Sequence, residues 1–309
     1  MDQDVNESAG PPRDFVGYGR HAPRVRWPNG ARVAVSIVMN YEEGSERSIP
    51  DGDGRADGLS ELPIALEPGI RDLCVESVYE YGSRAGIWRV QRMVDALNIP
   101  LTFFGCAVAF ERNPEVGAWI QEAGHEPCCH GYRWEEAYGL TREQEREHIA
   151  MAIESIQQTC GDRPRGWYCR YGPSVNTREL LVEEGGFVYD SDSYADDIPY
   201  YTAVTGQRHL VVPYSLTYND VRFVLAQGHS DPSSFVDTCK RGLDYLREEG
   251  ETHPKMMSIG LHSRLIGQAA RASALKELLQ YAQDTGEVWF ATRLEIAEWW
   301  NAHHEEFTA

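Results

Sequence analysis

The stretch Gly124-His125-Glu126-Pro127-Cys128-Cys129-His130-Gly131-Tyr132-Arg133-Trp134 reads as a helix stop, a short core strand and a polar loop in succession. Glycine ends the preceding helix, the run from Glu126 to His130 crosses an apolar core, and His130 stands where strand gives way to loop. Four other stretches share this grammar of an apolar run ending in ionisable side chains: Asn40-Tyr41-Glu42-Glu43, Cys169-Arg170-Tyr171-Gly172-Pro173, Tyr189-Asp190-Ser191-Asp192 and Gly260-Leu261-His262-Ser263-Arg264. In parallel α/β proteins the ends of strands, and the loops after them, carry the chemistry.

Outward from that stretch the chain alternates strand and helix. Strands are predicted over 31–41, 101–106, 126–130, 166–170, 187–190, 210–216, 255–262 and 288–291. Helices are predicted over 87–97, 113–123, 141–160, 177–184, 233–249, 269–283 and 294–304, with Pro114 at a helix start, a Thr141–Gln144 capping box and Ser233 or Ser234 as a cap. Residues 1–12 read as a disordered acidic tail, and 13–309 as one α/β domain with a parallel, barrel-like sheet; an open doubly wound sheet is the alternative. The long loop from Gly44 to Ile70 contains Pro50, Pro63 and Pro68, and loops of that length are usually functional or interfacial. Its Asp51-Gly52-Asp53-Gly54 lacks the ligand spacing and closing glutamate of a calcium loop.

Composition narrows the classes. The 309 residues are 42% hydrophobic and 25% charged, ordinary for a globular protein, but the formal charge of -19 opposes nucleic acid and anionic membrane surfaces. Seven scattered cysteines without a CxxC pair, and an acidic start without an apolar segment, point to a reducing cytoplasmic location. No apolar run is long enough to span a bilayer. Neither a dinucleotide glycine fingerprint, a P-loop nor a GxSxG elbow is present.

The strand-end residues together are Glu42 and Glu43, His130 and Trp134, Arg170 and Tyr171, Asp190 and Asp192, and His262 and Arg264. Such a set suits hydrolysis. A carboxylate can take a proton from water, an arginine can hold a developing oxyanion, and a histidine can protonate a leaving nitrogen.

In this order the motifs resemble the polysaccharide deacetylase superfamily, whose fold is a distorted (β/α) barrel. Asn40-Tyr41-Glu42-Glu43-Gly44 stands where that family has Thr-Phe-Asp-Asp-Gly, and His130-Gly131-Tyr132-Arg133-Trp134 where it has His-Ser/Thr-x-x-His. Arg170-Tyr171-Gly172-Pro173 and Leu261-His262-Ser263 match later motifs. The family's second aspartate and two histidines hold a divalent metal; here those positions are Glu43, His130 and Trp134. Glu43 and His130 alone make a poor site, because catalytic zinc normally has three protein ligands and tryptophan offers no lone pair. No cofactor is therefore expected; the alternative is a weakly held divalent ion such as zinc, with Asp190 or Asp192 completing the set.

These departures are similar to one branch, the purine-degradation allantoinases and the related cyclic imide hydrolases. Further shared phrases are Arg13-Asp14-Phe15-Val16-Gly17-Tyr18-Gly19 and Tyr79-Glu80-Tyr81-Gly82-Ser83-Arg84-Ala85-Gly86. The resemblance implies a hydrolase that opens a cyclic amide ring, such as allantoin, a hydantoin or an imide, and a homo-oligomer, a tetramer. For that chemistry without a metal, Glu42 is the expected base on water, Arg170 with His130 polarises the carbonyl, and His262 protonates the leaving nitrogen. Trp134 would wall the ring, and Glu43, Glu80, Tyr81, Asp190, Asp192 and Arg264 are candidate substrate contacts. A metal-dependent deacetylase of an N-acetylated amino sugar is the alternative.

Overall fold

All nine residues of the first strand, β1 (Val33–Tyr41), are buried, as a run of β-branched and apolar side chains demands of a strand covered on both faces. The computed structural model describes residues 10–62 and 64–307. Most of the expected acidic tail lies outside them; residues 10–12 are exposed and carry no regular structure.

The remaining strands are β2 (Leu101–Gly105), β3 (Glu126–Cys129), β4 (Gly166–Trp167), β5 (Tyr189–Asp190), β6 (Tyr200–Val204), β7 (Gln207–Val211), β8 (Lys255–His262) and β9 (Val288–Phe290). They form one curled half-barrel sheet in the order β6-β7-β5-β4-β3-β2-β1-β8, parallel except for the β6–β7 hairpin. β8 runs along one edge of β1, pairing Val33 with Lys255 through Asn40 with His262. The other edge of β1 takes β9 at its start and β2 at its end. This parallel register brings Glu42, the loop after β3 and His262 to one rim.

The chain after β7 closes much of the gap between the sheet edges. Val212 N–H donates to Asp190 O, Tyr214 N–H to Ser193 O, and Gly260 N–H to Tyr218 O. Inside the half-barrel, fully buried Arg293 staples this crossing segment. Its Nε donates to Ser191 Oγ (2.9 Å), NH1 to Ser258 Oγ (2.7 Å) and NH2 to the carbonyls of Val212 and Pro213. A buried guanidinium is tolerable only with its donors used in this way.

The helices are α1 (Leu73–Tyr81), α2 (Ile87–Leu97), α3 (Ala107–Arg112), α4 (Pro114–Ala123), α5 (Arg142–Cys160), α6 (Thr177–Glu184), α7 (Pro232–Glu249), α8 (Ser263–Ile266), α9 (Ala269–Asp284) and α10 (Arg293–Phe307). Several differ from expectation. The stretch 75–86 is helical, α1 running through one π turn (Gly82–Gly86) into α2. A Cβ at Gly86 would meet Ser263 O at 2.1 Å, so only glycine lets that turn press against the end of β8. The cap of α7 is Asp231, because Pro232 takes the first helical position and Asp231 accepts Ser234 N–H at 3.0 Å.

The strand expected over 210–216 is instead β7, paired with the unforeseen β6 through Thr205 and Gly206 at φ 48° and 82°. Two left-handed residues match the twist of a tight hairpin. All seven cysteines are thiols, and among the described residues no helix is long and apolar enough to cross a membrane.

Candidate active site

Glu42 follows β1 directly and is 1% exposed. Its Oε1 is 3.3 Å from Nε2 of His130 and 3.6 Å from Nε2 of His262. Its Oε2 lies 2.8 Å from NH1 of Arg264, an ion pair whose angles are too poor for a good hydrogen bond.

The far side of each imidazole is committed. His130 Nδ1 is 2.6 Å from the carbonyl of Tyr168, and His262 Nδ1 is 2.6 Å from Asp220 Oδ1. A carbonyl cannot donate, so His130 Nδ1 carries hydrogen and any second proton resides on Nε2, toward Glu42. The same logic holds for His262 against an ionised Asp220. Burial pushes the Glu42 carboxyl up, but Arg264, His262 and His130 together outweigh it and hold it down to about 2. The result is a dry carboxylate that is ionised and faced by two imidazole edges.

The second carboxylate does different work. Glu43 sits in the turn just past β1, and its carboxylate shares Arg264 NH1 with Glu42, at 3.6 Å and 2.8 Å. Its oxygens accept the backbone N–H of Glu42 (3.0 Å) and of Arg264 (3.1 Å), tying the end of β1 to the end of β8. A Cβ at Gly82 would come within 2.5 Å of Glu43 Oε1, so the π turn closes over it from behind.

Trp134, 1% exposed, has two guanidiniums against its ring: Arg170 Cζ at 3.6 Å and Arg264 Cζ at 5.2 Å from the centroid. Arg264 also lies 4.5 Å over Tyr79. Arg170 NH1 donates to Asp57 Oδ2 (2.7 Å) and to Trp134 O (2.8 Å), while its buried Nε faces Glu136 Oε1 at 3.7 Å, an ion pair beyond hydrogen-bond distance.

Asp57 belongs to the long loop after β1, which is strapped down by three arginines. Arg112 takes Asp51 at 2.6 Å, Arg133 takes Asp53 at 2.9 and 2.7 Å, and Arg170 takes Asp57. The Asp-Gly-Asp-Gly run is thus a set of arginine acceptors. Inside the same loop, burial pushes Glu46 up to about 7, the hydrogen bond from Gly44 N–H only partly countering it.

Asn40, Glu42, His130, Trp134, Tyr168, Arg170, Tyr171, Asn219 and His262 enclose one cavity. It leaves about 10 Å³ for the centre of a water-sized sphere, enough for one water. Every lining side chain is buried except Tyr171, which is 44% exposed and has φ 45°. A bulky residue in the left-handed region is a genuine backbone outlier.

Five of the expected residues, Glu42, His130, Arg170, His262 and Trp134, therefore meet. The others do not line the cavity. Glu80 is exposed and pairs with Arg84 (3.4 Å). Tyr81 donates to Gly267 O (3.0 Å) and takes Arg89 (2.7 Å), bracing two helices. Asp190 is held by Arg178 (2.6 and 2.9 Å) and His209 (2.8 Å). Asp192 accepts Cys169 N–H (2.7 Å), and burial beside Asp190 pushes it up to about 7. Arg264 stands behind Glu42.

Residues the sequence reading missed are Asn40, Tyr168, Asn219 and Asp220. Asp220 follows the mixed stretch Ser215-Leu216-Thr217-Tyr218-Asn219, so the apolar run that marked Glu42 was not there to mark it.

A divalent ion finds few ligands here. Glu43 has spent its oxygens on backbone N–H groups, Trp134 offers no lone pair, and Asp190 and Asp192 are engaged elsewhere. Among the described residues no three His, Cys, Asp or Glu side chains form a ligand group.

Comparison with known proteins gives consistent likenesses. Residues 71–189 match the family model described as polysaccharide deacetylase. A Schizosaccharomyces pombe protein named for the polysaccharide deacetylases is 37% identical over 314 aligned residues, covering 94% of this chain and 98% of that protein. A crystal structure from Pseudomonas aeruginosa PAO1, named likewise, shares 49% identity with a TM-score of 0.91, covering 95% of this chain and 99% of the other. The crystal structure of PuuE allantoinase shares 48% identity, also with a TM-score of 0.91, covering 95% and 98%.

Proposed function

From the premise that the chain belongs to the polysaccharide deacetylase family and is a hydrolase of carbon–nitrogen bonds, we propose that it opens the ring of a small cyclic amide, an allantoin-like hydantoin or imide. The carrying observation is the enclosed cavity in which a single Glu42 oxygen meets two imidazole edges. A polymer needs an open groove along the strand ends. A flat small ring would enter past Tyr171, the one exposed residue of the lining. The likeness to PuuE allantoinase supports this choice of ring.

The chemistry follows from the donors present. Water beside Glu42 Oε1 gives up a proton as its oxygen attacks the ring carbonyl. The carbonyl oxygen takes charge and is stabilised by the guanidinium of Arg170, which lines the cavity. His130, fixed by Tyr168 O, presents Nε2 to the same region. His262, oriented by Asp220, delivers the Nε2 proton to the ring nitrogen as the carbon–nitrogen bond breaks. One water is consumed, and a free carboxylate and a ring-opened amide nitrogen result. The flanking carbonyls of such rings make this amide more electrophilic than a sugar acetamide, so general acid–base groups and a guanidinium suffice. The family's metal would need Glu43 and His130 as ligands, and the Glu43 oxygens already accept two backbone N–H groups.

The test is a turnover panel of allantoin, hydantoin, dihydrouracil, succinimide and N-acetylglucosamine oligomers, each with and without EDTA. Ring opening that survives the chelator is expected. Turnover of the oligomers alone, abolished by EDTA, would overturn the proposal in favour of a metal-dependent deacetylase.

A further inference from the structure

Arg264 is an odd residue to find fully buried. None of its three guanidinium nitrogens has a well-formed hydrogen bond. Its charge is balanced by Glu42 at 2.8 Å, Glu43 at 3.6 Å and the faces of Tyr79 and Trp134. A guanidinium normally earns a buried position by donating along its fork. This one does not line the cavity, so substrate cannot supply the missing acceptors directly. What it does have is position: a permanent positive charge behind the carboxylate that faces the water site.

We propose that Arg264 is a tethered cation, a positioning residue that does through Glu42 what a bound divalent ion would do, and that with Trp134 it keeps such ions out of the site. Two features of the chain exclude the ion independently. Trp134 removes a ligand, and Arg264 adds a positive charge beside the carboxylate any ion would need. Glu43, whose oxygens bind backbone N–H groups, holds Arg264's own main chain in place and is unavailable as a replacement. Restoring a ligand at 134 therefore leaves the guanidinium still in the way. The inference rests on the family and the site geometry, and its readout is metal binding, so the substrate reading can fail without it.

The experiment is Co²⁺ titration followed by ligand-field absorption, with metal content after dialysis, on the full chain. Wild type, Trp134→His, Trp134→His/Arg264→Lys and Trp134→His/Arg264→Met are compared, with thermal melting as the folding control. Wild type, the single variant and the lysine double are expected to retain no stoichiometric cobalt. The methionine double is expected to bind about 100-fold more tightly than Trp134→His alone. Stoichiometric cobalt in wild type or in Trp134→His overturns the proposal, and those two proteins decide it even if the methionine double fails to fold. A folded methionine double that gains no affinity also overturns it.

Discussion

Both oxygens of Asp220 are bound by one residue: Oδ1 lies 2.6 Å from Nδ1 of His262, and Oδ2 accepts the backbone N–H of His262 at 2.8 Å. The bidentate grip fixes both the ring tautomer and the place of the strand end. Asp220→Asn puts an amide donor against Nδ1, which then must be unprotonated, and removes the negative charge that supports a proton on each ring nitrogen, so the imidazolium that acts as acid is disfavoured. The expected outcome is a fall in kcat of about 10²–10⁴-fold, the usual worth of a general acid, with KM little changed. Steady-state kinetics check it. A variant as active as wild type would remove His262 from the role of acid.

Glu42→Gln should show two losses at once. Turnover falls by about 10²–10⁴-fold because the base is gone. Stability also falls, by about 3–5 kcal/mol, because Arg264 loses its nearest counter-charge inside the protein. Adding Arg264→Met should recover part of the stability and none of the activity, a non-additivity read by urea denaturation. Equal stability of wild type and Glu42→Gln would mean that the ion pair contributes nothing.

Tyr171 separates the cavity from solvent at a backbone cost. Tyr171→Gly relieves the left-handed conformation, worth about 1–2 kcal/mol, and opens the only exposed wall. The melting temperature should hold or rise while KM rises about 10-fold, as expected where a contact covering the substrate is lost. An unchanged KM would show that the ring is not covered by this side chain.

Glu46 gives a pH-dependent prediction. Its carboxyl titrates near 4.5 when unfolded and at about 7 when folded. Between those values the folded chain keeps a proton that the unfolded chain releases, so stability from this group is lost as pH rises through that window. Above it, the buried charge is a standing cost. Glu46→Gln keeps an uncharged oxygen for Gly44 N–H, so it should stabilise by about 1–3 kcal/mol near pH 8 and have little effect near pH 4. Urea midpoints at the two pH values decide it; a difference independent of pH would contradict the assignment.

The strand ends were legible because an apolar run that stops at an ionisable side chain has few places to put it. Glu42, His130, Arg170 and His262 all followed that rule. The rule does not say which way a residue faces. Glu42 and Glu43 are adjacent just past the end of β1, and the turn there, with the backbone N–H groups of Glu42 and Arg264 it presents, gives one to the cavity and the other to the backbone. Asp190 obeyed the same grammar but meets Arg178 of α6 and His209, the latter brought beside it by β7 of the β6–β7 hairpin pairing with β5. That hairpin hung on Thr205-Gly206, a two-residue turn with only one glycine to mark it. β4 was shorter than expected because the Tyr168 carbonyl goes to His130 and Cys169 N–H to Asp192, where a neighbouring strand would have bonded them. Arg264 read as a candidate substrate contact because it closes an apolar run, yet it stands behind Glu42 and outside the cavity. Its burial comes from the abrupt turn of β8 into α8, which no periodicity marks.

Trp134 gives one indole to two guanidiniums. That arrangement couples three positions in space. Loss of the indole leaves Arg170 and Arg264 without the π surface they share, and loss of either arginine leaves the indole walled by fewer charges. The indole is the one element whose loss would leave two buried positive charges without a shared wall at once.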